Sequence, residues 1–129
     1  MERLKQRITS AKRALSALNE LVTLEGPTIV ERDASIQRFK YSFEASYKAA
    51  KQYLYDMEGI DVASPKGVIR SLREINILNE EETILGLHMV NDRNLTVHTY
   101  NEELAIKIHS NLTQYYGLLN KIVEHIDSF

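Results

Sequence analysis

Eight consecutive residues, Arg93-Asn94-Leu95-Thr96-Val97-His98-Thr99-Tyr100, gather a permanent cation, an imidazole and a phenol into one short stretch. Arginine presents a planar fork of five donors that matches phosphate oxygens. Histidine is the side chain whose ordinary pKa lets it take and give protons near neutrality. Together they suit the handling of a phosphodiester. In an ideal helix Arg93 and His98, five residues apart, stand about 140° from each other around the axis. They share a face only if the helix ends or loosens between them. Thr99 and Glu102 have S/T-x-x-E spacing, so the next helix is expected to start at Thr99 or Asn101, with His98 in the turn. A plainer reading competes. A histidine at a helix C-terminus complements the dipole and can bond a last carbonyl. Arg93, with no acid three or four residues away, would then be solvated or weakly paired.

Other chemistry-bearing residues form no comparable group. His88, one turn after Ile84 and one before Asp92, reads as a partly buried packing residue. His109 and His125 are isolated on the last helix, and no His, Asp or Glu pair has metal-ligand spacing. There is no cysteine, no glycine-rich phosphate loop and no G-x-S-x-G turn. No metal and no cofactor are expected. The Asn79-Glu80-Glu81-Glu82 run reads as an acidic, dipole-matched helix start, and Arg38, Lys40, Lys48 and Lys51 read as a solvated basic side.

The elements that must position the octapeptide are helical. Leu4, Ile8, Ala11, Leu15, Leu18 and Val22 draw one stripe at steps of three and four. Ile36, Phe39, Phe43, Ala50, Tyr53 and Met57 draw a second, in which Ser46 is expected to bond back to a carbonyl one turn earlier. A third, Ala105, Ile108, Leu112, Tyr115, Leu119, Ile122 and Ile126, is expected to be unbroken. Ser64-Pro65 predicts an N-cap with proline at the first helical position, opening a short helix through Val68, Ile69 and Leu72. Asn79 and Glu82 predict a capping pair for another long helix. Gly26-Pro27 and Gly59 are expected to end the first and second helices. No segment alternates with period two. The expectation is all-α: an up-and-down four-helix bundle with one additional short helix. Tyr41, Ala45, Tyr47, Ala49 and Leu54 lie off the main stripe of the second helix, which implies cover on more than one side. A subunit interface and packing within the monomer explain this equally well.

At 129 residues the chain fits a single domain spanning 1–129. With 43% hydrophobic and 26% charged residues it reads as globular rather than disordered. The absence of cysteine suits a cytoplasmic location, the first residues lack an apolar leader, and no stretch approaches a membrane span. A net charge of −2 argues against bulk electrostatic binding of nucleic acid, so any RNA contact would be local.

The octapeptide resembles the R-x4-H-x-Y motif of the HEPN superfamily, small all-α proteins encoded beside minimal nucleotidyltransferases. Ser35-Ile36-Gln37-Arg38-Phe39-Lys40-Tyr41-Ser42-Phe43-Glu44 is similar to the IQRFE(F/Y)(T/S)FE helix of the nucleotidyltransferase substrate-binding protein branch. Ser64-Pro65 with Val68-Ile69-Arg70 resembles its SPR.VIR segment, and Asp92-Arg93-Asn94 its DRN. The resemblance spans about residues 30 to 105. Lys40 departs from it, standing where relatives often carry Glu, as does Ala45-Ser46-Tyr47-Lys48 in place of LAWK. The resemblance implies a homodimer whose two motifs face each other, and a minimal nucleotidyltransferase as partner. It further implies one of two activities. In the first, Arg93 and His98 are catalytic in a toxin-like, metal-independent ribonuclease, with Asn94 orienting a phosphate or His98. Adenylylation of Tyr100 by the partner then silences the site. In the second, the chain is a noncatalytic substrate-binding subunit that presents a substrate to the nucleotidyltransferase, and RNA or a nucleotide is a possible partner in either case; a purely structural adaptor is the remaining class.

Overall fold

In the computed structural model, which describes residues 1–128, every regular element is helical. The helices are α1 (Glu2–Val22), α2 (Ile29–Glu58), α3 (Pro65–Glu74), α4 (Glu80–Leu95), α5 (Glu102–Ser110) and α6 (Leu112–Ile126), with a 3-10 turn at Thr96–His98. Among the described residues no helix is long and apolar enough to cross a membrane.

Side-chain caps set most of the helix starts. The Thr28 hydroxyl accepts from the Glu31 amide at 3.1 Å while the Glu31 carboxylate accepts from the Thr28 amide at 2.8 Å, a complete capping box. This T-x-x-E signal lies two turns upstream of Ile36, where the apolar stripe begins. Ser64 accepts from the Gly67 amide with Pro65 at the first helical position, and Asn79 and Glu82 form the second capping box, both as expected. Gly59 ends α2 at φ 66°, and the Ile60 amide reaches back to the Leu54 carbonyl at 2.9 Å. That left-handed position is one glycine fills without strain. Helix α1 stops at Val22, so Gly26-Pro27 belongs to the connection rather than to the helix end.

Helices α1 and α2 form a long antiparallel pair. Arg7 donates to Gln52 near one end, and Arg38 donates to the Ala17 carbonyl and to Glu20 near the other. Arg38 therefore ties two helices together instead of lying on a solvated basic face. Helix α6 lies against both, with Tyr115 stacked on Phe39 at 5.5 Å between ring centroids. Helix α4 runs antiparallel to α6, held by Glu82 with Lys121 and by Asp92 with Tyr115. Leu4, Leu18, Phe39, Leu54, Leu72 and Ile108 are all inaccessible, so one continuous core joins the elements.

Three local expectations need correction. The last helical segment is interrupted at Asn111, although every residue of its stripe is buried. Asn111 keeps a right-handed conformation (φ −99°, ψ −6°), so α5 and α6 stay in register across it. The Ser46 hydroxyl is buried and makes no hydrogen bond among the described residues, while Ser35 does bond back, to the Glu31 carbonyl at 2.7 Å. His88 is exposed rather than partly buried.

Candidate functional site

The octapeptide spans the last turn of α4, the 3-10 turn and the residues that lead into α5. The Thr96 hydroxyl donates to the Arg93 carbonyl at 2.6 Å, and Thr99 donates to the Thr96 carbonyl at 2.9 Å. These bonds tighten the helix end, so the chain changes direction between Arg93 and His98. The two hydroxyls satisfy the carbonyls that a capping histidine would seek. The His98 imidazole is left exposed, edge-on to the Tyr100 ring with centroids 6.0 Å apart.

Asn101, not Thr99, caps the next helix, its side chain accepting from the Leu104 amide at 3.1 Å. Tyr100 therefore precedes the cap and lies outside the first turn of α5. Its ring is 86% exposed, so packing does not account for it. The first turn of α5 carries Glu102 and Glu103, which answer the dipole there.

Of the two outcomes the plainer reading allows for Arg93, solvated or paired, the structure shows the paired one. Its Nη2 donates to Glu44 of α2 at 2.5 Å, and its guanidinium stands 5.9 Å from the centre of the Phe43 ring. Its Nε is buried and has no hydrogen-bond partner among the described residues. The ion pair crosses 49 residues of sequence, beyond the reach of any local spacing rule. Asn94 is exposed on the same turn. Asp92 faces inward, accepting from the Tyr115 hydroxyl at 2.5 Å and from the Asn111 side-chain Nδ2 at 3.2 Å. Burial, and then the neighbouring Asp92 carboxylate, push the Tyr115 phenol well above its usual range. Asp92 thus ties the end of α4 to α6 just before the motif begins. Neither Glu44 nor Asp92 was singled out as a site residue from the sequence.

A cleft opens beside Tyr100. Asp33, Gln37 and Lys40 of α2 form one wall, and Thr96, Thr99 and Tyr100 form the other. Ile36 supplies its apolar floor. The described residues include no cluster of three His, Asp or Glu placed to hold a metal ion.

The motif thus lies at one corner of an all-α bundle, with His98 and Tyr100 exposed and Arg93 half-buried. The model of the family described as nucleotidyltransferase substrate binding protein like matches residues 6–128, and the chain belongs to that family. No curated protein matches the sequence. Among solved structures, a protein from Thermus thermophilus is 52% identical, with a TM-score of 0.88 over 90% of this chain and 98% of its own. A mutant MntA–HpeT toxin–antitoxin structure shares the fold at 16% identity and a TM-score of 0.79, over all of both chains. So does the tri-AMPylated HEPN toxin of Shewanella oneidensis in complex with MNT antitoxin, at 15% identity and a TM-score of 0.73 over 98% and 97%. The HEPN-like fold expected from the motif is the observed one.

Proposed function

We propose that this chain is the HEPN-type partner of a minimal nucleotidyltransferase, acting as a metal-independent RNA endonuclease that adenylylation of Tyr100 silences. The observation that carries this reading is the exposed turn, where His98 and Tyr100 stand edge to face at the end of the helix that bears Arg93. The solved neighbours bound to an antitoxin, one of them tri-AMPylated, support it by analogy of fold.

Two copies of the chain supply two imidazoles. One takes the proton of a ribose 2′-hydroxyl, whose oxygen then attacks the adjacent phosphorus. The bond from phosphorus to the 5′ oxygen breaks, and the second imidazole protonates that leaving oxygen. The products are a 2′,3′-cyclic phosphate and a free 5′-hydroxyl. Arg93 stabilises the extra negative charge that builds on phosphorus, and Asn94 orients a phosphate oxygen. In silencing, the Tyr100 phenolic oxygen attacks the α-phosphorus of ATP and pyrophosphate leaves with the breaking bond. The phenolic proton passes to solvent or to a base of the transferase.

A second reading, a noncatalytic substrate-binding subunit, is favoured by one feature. In the single chain the Arg93 charge is already matched by Glu44. RNA cleavage by the purified protein separates the two. His98→Ala is expected to lower cleavage by about 10²–10⁴-fold and to leave stability within about 0.5 kcal/mol, as for an exposed side chain. Absence of cleavage by the unmodified protein, or cleavage that survives His98→Ala, would favour the binding subunit.

A further inference from the structure

A nucleotide attached to Tyr100 brings a phosphodiester and its negative charge to this corner of the molecule. The nearest helix start cannot receive that charge, because Tyr100 precedes the Asn101 cap and Glu102 and Glu103 occupy the first turn. Arg93 is engaged with Glu44. The cleft beside Tyr100 offers another cation.

Asp33, Gln37 and Lys40 sit at steps of four and three along α2, so they share one face, and two turns of rise separate its ends by about 10 Å. Much of the polar capacity along the cleft is already engaged. Thr96 and Thr99 donate to the carbonyls of their own turn, Gln37 donates to the Tyr41 hydroxyl at 2.8 Å, and Asp33 meets Arg32. Lys40 is different: half-buried in the cleft wall, it has no ion-pair partner among the described residues. An ammonium on a flexible stem is suited to meet a phosphate that arrives later.

We propose that the cleft between α2 and the 3-10 turn is the seat of the nucleotide joined to Tyr100, with Lys40 as the counter-charge of its phosphodiester. The free oxygen of Gln37 and the Asp33 carboxylate face the polar edge of its base. This rests on Tyr100 adenylylation, and the test separates the two claims. Wild type, Lys40→Met and Lys40→Glu are each incubated with the cognate nucleotidyltransferase, ATP and Mg²⁺, and intact mass reports modification. Melting temperatures are then compared before and after. Met keeps the packed stem without the charge, and Glu restores the family's residue. Modification is expected to raise the melting temperature of wild type by about 2–4 °C more than that of Lys40→Met, and to lower that of Lys40→Glu. Equal shifts in all three modified proteins would overturn the role of Lys40 and leave adenylylation standing. No mass gain in wild type would overturn adenylylation itself, and the cleft's role with it.

Discussion

Around the motif, single side chains hold the reactive turn in place through contacts far apart in sequence. Glu44 and the Phe43 ring fix Arg93 from α2, and the preceding residue, Asp92, is held by Tyr115 of α6 and by Asn111 just before it. The Tyr115 contact is the more costly to lose, because its hydroxyl is buried and its acceptor is a carboxylate. Tyr115→Phe is expected to destabilise the protein by about 1.5–2 kcal/mol, measured by urea unfolding. Its pH signature follows from the raised pKa of the phenol in the folded state. That stabilisation is complete below the unfolded phenol's value near pH 10 and is lost as pH rises beyond it. Wild type should therefore lose stability above about pH 10 more steeply than Tyr115→Phe. His109 acts at the opposite end of the scale. Burial, with Arg32 adding to it, lowers its pKa, so its contribution is present above the ordinary histidine range and lost as pH falls through the folded value.

At the scale of helices, the motif depends on the α3–α4 hairpin that carries α4 to its end. A Cβ added at Gly86 would lie 2.9 Å from a methyl of Ile69, so the two helices approach as closely as glycine permits. Alanine is the better helix former by about 1 kcal/mol, but a core already filled by a β-branched side chain resists the extra methyl by about 1–3 kcal/mol. Gly86→Ala is expected to be destabilising overall, read from thermal melts. The caps that start α3 and α4 were legible because Ser64 and Asn79 bond within three residues of themselves. The motif residues were legible for the same reason: they are contiguous. What sets their geometry was not. The partner of Arg93 lies 49 residues away and that of Asp92 lies 23 away, and no periodicity encodes either pairing. The interruption at Asn111 was hidden because the apolar stripe runs through it undisturbed.

At the scale of the whole molecule, exposed apolar side chains remain on α2, at Val30, Tyr41 and Tyr55, and a second set surrounds the motif. Leu54 and Ala49 are fully covered within the monomer, and Tyr47 stacks on Phe43, which leaves Tyr41 as the exposed member of that group. Leu95, Val97 and Tyr100 are exposed around the motif itself. Pairing of two copies across that face would bring two His98 side chains to one cleft, as a two-imidazole mechanism requires. Light scattering at micromolar concentration is expected to give about twice 14.9 kDa and Val97→Asp to shift the protein to monomer, because a charge buried at an interface is costly. If Tyr100 is the substrate of a partner transferase, reaction with that enzyme, ATP and Mg²⁺ leaves its mark in the intact mass of the chain. The expected result is a gain of one or more adenylyl groups that localise to Tyr100 and disappear in Tyr100→Phe. A gain that persists in Tyr100→Phe, or an unmodified wild-type chain, would contradict it.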